Sequence, residues 1–381
     1  MNTSPTQIPF NRPSLAGHEL RYVADAVARG HISGNGWYTK ESEDLLAKIS
    51  GSSKVLLTTS CTHALELSAR MLRLGPEDEV IVPAYTFVST ASAFALSGAR
   101  PIFVDVTPGT LNLDVDAAAS AVTSRTKAIC TVHYAGIAEN LDRLVDICAT
   151  ENLVLIEDNA HGLGARYDGK LLGTFGDMST LSFHETKNVT CGEGGALALN
   201  NDALLPLAEI LREKGTDRAR FLRGQVDKYT WVEIGSSWVT SDILAAYLLA
   251  QLEEFDRIQS KRMDIWNSYD LELNGWATSL GIRTPYIPQQ SEHSAHMYYL
   301  QFQSLVDRTA FIDYMKSLGI LTVFHYQALN NSSVGISLGG RTGQCPISEM
   351  AADTVVRLPL FADMSSDELN RVIGAVTSFR K

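Results

Sequence analysis

A chain of 381 residues, 45% apolar and 20% charged, is long enough for a large domain and a smaller one and has an ordinary globular composition. Its formal charge of −11 speaks against a nucleic-acid partner, whose phosphates need clustered Lys and Arg, but leaves room for a small anion in one basic pocket. Five scattered cysteines without a CxxC pair suggest neither a disulfide framework nor a zinc site.

The opening MNTSPTQIPFNRPS lacks the basic-then-apolar pattern of a signal peptide, and no apolar run reaches membrane-spanning length. A cytoplasmic protein is therefore expected. SGNGWYTK (33–40) is glycine-rich enough for a mobile loop over a ligand, an ordinary turn being the alternative. From about 54 to 200, short apolar runs alternate with helical patterns. The runs are KVLLTT (54–59), EVIVPA (79–84), RPIFVDV (100–106), KAICTV (127–132), NLVLIED (152–158), DMSTLSF (177–183) and GALALN (195–200). Such runs predict strands buried on both faces of a largely parallel sheet covered by helices. Between them, 61–74 sets Ala64, Leu65, Met71 and Leu72 on one helical stripe, and 139–150 does so with Leu141, Leu144, Val145 and Cys148. This is an α/β domain, taken as residues 1–255 with the N-terminal segment included. A long helical pattern over 241–272 leads into a smaller α+β domain at 256–381. Its strands are expected at 297–302, 321–326 and 355–360, and its helices at 307–318 and 365–379.

Ligands of such sheets bind beyond the carboxyl ends of the strands. Ser60, Cys61 and Thr62 precede a helix whose unpaired N–H groups and positive dipole end suit a phosphate dianion, a plain N-cap being the alternative. Phe87 is placed to stack on an aromatic ligand or to sit in the core. Asp158 ends its apolar run, either as a helix cap or as the partner of a pyridinium nitrogen, with His161 near enough for a phenolic oxygen. Ser182 offers another phosphate hydroxyl. Lys187, in SFHETKN before CGEGG, lies beside apolar walls that lower an amine's pKa, as Schiff-base chemistry requires. Gly192, Gly194 and Gly195 are expected to let backbone approach a bound group. A phosphate cradle, a stacking ring, a carboxylate and a lysine, each from a different strand end, suit pyridoxal phosphate (PLP).

SFHETKN with CGEGG, IEDNAH, TTSCTHAL, PAYTFVST and NRPSLAGHE…SGNGWYTK closely resemble the DegT/DnrJ/EryC1/StrS sugar aminotransferases over essentially the whole chain. Within that family the 212–253 segment is most like the dTDP-4-amino-4,6-dideoxygalactose transaminases. The resemblance implies a fold type I PLP enzyme with a mostly parallel seven-stranded sheet. It implies that Lys187 carries the cofactor, Asp158 meets its pyridine nitrogen, His161 takes a place held by Gln or His, and Phe87 stacks. Ser60, Cys61, Thr62 and Ser182 match the phosphate binders. Ser237, in Gly235-Ser236-Ser237-Trp238, matches a position that reaches the partner's phosphate, so a homodimer with shared sites is implied.

The implied reaction moves the amine of L-glutamate to C4 of a dTDP-linked keto sugar, dTDP-4-keto-6-deoxyglucose. Amination at C3, a gluco product, a PLP-dependent sugar dehydratase and a non-catalytic binder are the alternatives. Lys187 weighs against the dehydratase, in which histidine replaces that lysine. Lys214, Arg218, Arg220, Arg223 and Lys228 are candidates for the diphosphate or the glutamate carboxylate, or form a solvated face. Three departures stand out: Ser60-Cys61-Thr62 replaces Ser-Gly-Thr, Gly235-Ser236-Ser237-Trp238 replaces a glycine–aromatic–Asn segment so that Ser237 stands where the family has Asn, and Ala328-Leu329-Asn330 replaces Pro-Leu-His.

Overall fold

The seven apolar runs form β1 (Lys54–Thr58), β2 (Glu79–Pro83), β3 (Arg100–Val104), β4 (Thr126–Val132), β5 (Val154–Asp158), β6 (Met178–Ser182) and β7 (Gly195–Leu199). The computed structural model describes residues 7–380, so the first six residues of the stretch read for a leader lie outside the described residues. The strands assemble in the order β1-β7-β6-β5-β4-β2-β3. From β6 to β3 all neighbours are parallel, whereas β7 runs against both β6 and β1. Strands β1 to β6 therefore end at one edge of the sheet, and β7 begins there.

Both faces are covered, which is why these strands read as unbroken apolar runs. Val80 and Val82 of β2 join the core under α3 (Cys61–Met71), while Ile81 joins Leu141, Leu144 and Cys148 of a helix on the opposite face. Two earlier helices, α1 (Glu19–Ala28) and α2 (Trp37–Ser50), pack against a later one at Asp242–Glu253. SGNGWYTK is not a loose lid. A Cβ at Gly34 would overlap Val239 and Thr240, and one at Gly36 would overlap the Asp242 carboxylate. That carboxylate in turn accepts from the Thr39 backbone and hydroxyl at 2.7 Å, pinning the start of α2.

The long pattern at 241–272 is two helices, Asp242–Glu253 and Phe255–Ser279, broken at Glu254 without proline or glycine. The break turns Phe255 into space left free by Gly164 (φ 82°), where a Cβ would crowd its ring. Three short strands, β8 (Tyr299–Gln301), β9 (Val323–Phe324) and β10 (Val355–Arg357), form an antiparallel sheet in the order β8-β10-β9. It packs beside the second helix around Trp266, Tyr269, Tyr298 and Phe311. Ile8, ahead of α1, is buried in this second core and bridges to Ile320, whereas α1 and α2 pack with the large sheet domain. Among the described residues no helix is long and apolar enough to cross a membrane.

Candidate active site

Beyond β6 the chain runs out and back, Phe183 and Gly194 pairing across the base of the loop and Glu185 donating its N–H to the Gly192 carbonyl at 2.9 Å. Lys187 sits in this loop and faces a cavity of about 550 Å³. Burial pushes its ammonium down from 10.5 to about 8; Cys61 and Asp158 pull it back up and Arg357 presses it lower. The glycines nearby are demanded by the protein's own packing. A Cβ at Gly195 would overlap the backbone joining Ser60 to Cys61, so the glycine lets β7 start flush against the turn into α3. Gly194 accommodates Cys191 and Phe183 while also lining the cavity, and Gly192 (φ 85°) supplies a left-handed turn.

Asp158 ends β5 between Val132 and Thr180 of the flanking strands. Its carboxylate accepts from the Thr90 hydroxyl at 2.7 Å, and Thr90 in turn lies 2.9 Å from the Thr86 hydroxyl. Burial raises the Asp158 pKa, and Thr90 and then Lys187 act to lower it. A carboxylate held this way gains most from a cationic partner. Its neighbour Glu157 has a different role. It accepts from His133 and from the backbone of Gly173, Phe175 and Gly176, tying strand ends together beneath the site.

Ser60 caps α3 by accepting from the His63 N–H at 3.1 Å. The first-turn N–H groups of Cys61 and Thr62 have no carbonyl of their own helix to meet. Cys61 is helical rather than in the left-handed region, so it replaces the family's glycine without backbone strain. Thr62, linked to Ser89 at 2.7 Å, and Ser182 line the same cavity. Phe87 also lines it but is 55% exposed, so it is a mouth residue and not a core ring.

The other wall comes from residues the sequence reading did not single out: His296, His325, Tyr326 and Arg357. His161 stacks on His296, ring centres 4.2 Å apart, and its Nε2 is 3.3 Å from the Tyr326 hydroxyl. His161 Nδ1 is buried without a partner. Burial, then the charges of Lys187 and Arg357, holds His161 well below the ordinary histidine range, so it is neutral. His296 Nδ1 lies 2.9 Å from the Asn188 amide oxygen, while the Asn188 nitrogen donates to Gln259 and to the Ser294 carbonyl. The residue after Lys187 thus anchors the lysine loop to the second core. One signal in the sequence pointed this way: an arginine inside the apolar run VVRLPL, since buried arginine demands a partner.

The 212–228 cations do not line the cavity. Arg218 pairs with Glu213 at 2.6 Å and Arg223 with Glu209 at 2.8 Å. Ser237 is exposed and likewise outside its own chain's cavity. The residues that do converge fit PLP: an amine of lowered pKa, a carboxylate, an unpartnered ring nitrogen, and hydroxyls around a helix start.

Residues 13–377 match the DegT/DnrJ/EryC1/StrS aminotransferase family. Among solved structures, the aminotransferase TlmJ from Streptoalloteichus hindustanus is 31% identical with a TM-score of 0.89, the match covering 98% of each chain. Spr1654 from Streptococcus pneumoniae, in its PLP form, is 29% identical with a TM-score of 0.90 over 98% of each chain. The sugar aminotransferase CalS13 from Micromonospora echinospora is 27% identical with a TM-score of 0.88, over 98% of this chain and all of that one.

Proposed function

The chain belongs to the DegT/DnrJ/EryC1/StrS family of PLP-dependent aminotransferases, enzymes of fold type I, and we propose that it moves the amine of L-glutamate to C4 of dTDP-4-keto-6-deoxyglucose, giving dTDP-4-amino-4,6-dideoxygalactose. The observation that supports the chemistry most is that Lys187 and Asp158 face one cavity, a buried amine opposite a buried carboxylate. When bound, PLP supplies an electron sink for the pair left on carbon as a proton departs. Lys187 would hold the cofactor between turnovers, and its Nζ, once free, would be the group that moves a proton to and from the substrate carbon. A pKa of about 8 suits both halves of that task near neutral pH. Asp158, steadied by Thr90, would keep a proton on the pyridine nitrogen. Neutral His161 would meet the phenolic oxygen. Ser60, Cys61, Thr62 and Ser182 would hold the phosphate against the start of α3, and Phe87 would cover the ring.

The choice of sugar rests on the 212–253 segment and the NRPSLAGHE opening, which resemble the galacto-forming branch. Neither segment lines the cavity, so their part in selection runs through a partner subunit or through the nucleotide outside it. NMR of the product tests the proposal directly. Nitrogen on C4 with small H3–H4 and H4–H5 couplings is expected. Nitrogen on C3 overturns the regiochemistry, and a large H3–H4 coupling replaces galacto by gluco.

A further inference from the structure

We propose that a second crevice, between the loop after β3 and the small antiparallel sheet, binds a nucleoside monophosphate. It has a volume of about 440 Å³ and shares no lining residue with the cavity of Lys187. Its side chains converge because of the backbone beneath them. Arg283 pairs with Gln301 through two backbone hydrogen bonds of 3.0 and 2.8 Å, which extends the small sheet beyond β8. Residues opposite one another in an antiparallel pair share a face, and so do residues two apart along a strand. Arg283, Gln301 and Tyr299 therefore point the same way, and all three line the crevice. Asn274 and Thr278, one turn apart on the helix Phe255–Ser279, add an amide and a hydroxyl.

The Tyr299 hydroxyl carries the inference. It is buried, and no hydrogen-bond partner meets it. Tyr85, Tyr134 and Tyr269 are buried at least as deeply, and each hydroxyl has a partner: the His325 carbonyl, His325 Nδ1 at 3.0 Å and the Pro359 carbonyl at 2.7 Å. Burial raises the Tyr299 pKa, so the group stays a neutral donor that lacks an acceptor. Arg283 is the cation whose field reaches it. The Arg283 guanidinium has the Pro108 carbonyl at 3.3 Å and the Met350 sulfur at 3.9 Å, and no carboxylate among the described residues. Glu139 also reaches the Tyr299 hydroxyl, more weakly, but its carboxylate is engaged by Thr107 and Thr110. A donor hydroxyl beside an uncommitted guanidinium calls for an anion, and a phosphate accepts from both at once. Tyr286 supplies the rest. Its ring is 57% exposed and lies over Gly109, where a Cβ would come within 3.4 Å of it. An open ring at the mouth of a polar crevice suits a flat base. Size alone is not the ground. A hollow of about 510 Å³ around Lys170 and Asn200 has no buried side-chain polar atom without a partner among its lining residues.

Calorimetry with thymidine monophosphate on the PLP-loaded protein tests this, with inorganic phosphate and thymidine as controls. Arg283→Glu should remove one binding site per chain, Tyr299→Phe should weaken it about tenfold, and Tyr286→Ala about fivefold. Arg283 and Tyr286 stand outside the cavity of Lys187, so their variants should leave the absorbance of bound PLP unchanged. For the same reason any nucleotide bound in that cavity is retained, and the loss reads the crevice alone. Should Arg283→Glu fail to fold, Arg283→Gln should still weaken binding at least about tenfold. Identical isotherms for the wild type and the folded Arg283 variant overturn the proposal. So does an absence of binding by the wild type at millimolar concentrations, which leaves the crevice to water. Thymidine binding as tightly as its monophosphate overturns the role of the phosphate, and inorganic phosphate binding as tightly overturns that of the base. The measurement is independent of which sugar the enzyme takes.

Discussion

At the scale of single residues, the site is governed by burial working against charge. The Lys187 pKa lies at about 8 in the fold against 10.5 outside it. Between those values the unfolded chain binds more protons, so the stability of cofactor-free protein rises with pH across that window. Lys187→Met removes the penalty. The cofactor-free variant should melt above the wild type below pH 8, with the difference closing toward pH 10.5, and it should no longer capture PLP in a borohydride-reducible form. A constant difference across the range would show that the buried charge is not its cause. The capture rate of the wild type should climb about tenfold per pH unit and level off near 8. For Asp158 the expectation is graded. Asp158→Asn should slow both half-reactions by on the order of 100-fold or more, and Thr90→Val, which removes one hydrogen bond to the charged carboxylate, by about tenfold. Near-normal turnover in Asp158→Asn would reduce that residue to a strand-end cap. Asp158 was legible because it closes an apolar run, and Lys187 because it follows one closely and precedes a glycine-rich stretch. His296 and His325 were not, since a histidine just ahead of a three-residue strand and one just after a two-residue strand carry no pattern of their own.

At the scale of elements, the sheet was legible because strands buried on both faces leave continuous apolar runs, and all seven runs lie where strands form. The reading of 241–272 as one helix failed because its break has no sequence marker: Glu254 is an ordinary helix former, and Phe255 follows a core opening made by Gly164 ninety residues earlier. Glycines separate local preference from packing in the same way. Gly195→Ala sets a methyl against backbone on the far side, where nothing flexible can yield. It should cost about 1–3 kcal/mol and weaken PLP binding by displacing the turn into α3. Gly275, exposed within the helix Phe255–Ser279, has nothing near the space a Cβ would fill. Gly275→Ala should stabilise the protein by roughly 0.5–1 kcal/mol without touching cofactor affinity. Urea unfolding of the two variants checks both signs; equal effects would mean that backbone entropy, not the β7–α3 contact, sets the response at 195.

At the scale of the whole molecule, one face of the chain exposes a cluster of apolar side chains. Leu222, Tyr229, Trp231, Val232 and Ile234 are all exposed within thirteen residues of chain, with Trp231 at 74%. Apolar clusters of this kind mark interaction surfaces. The helix Asp242–Glu253 buries Ala245, Ala246 and Leu249 in its own chain's core. The stretch before it is the better surface. It runs into a firmly built turn, where Gly215 and Gly235 pack so closely that neither tolerates a side chain, and this turn holds Ser237 outward. An outward Ser237 that misses its own cavity, beside an apolar face, is what a site completed by a second copy requires. We therefore expect a particle of twice 41.6 kDa in sedimentation, and Trp231→Glu with Ile234→Lys should yield monomers that hold PLP poorly. Mixing inactive Lys187→Ala with a Ser237→Trp variant should restore about a quarter of wild-type activity, because half the dimers are hybrids and each hybrid has one intact site of two. No recovery, with hybrid dimers confirmed, would confine each site to a single chain and leave Ser237 as part of the interface alone.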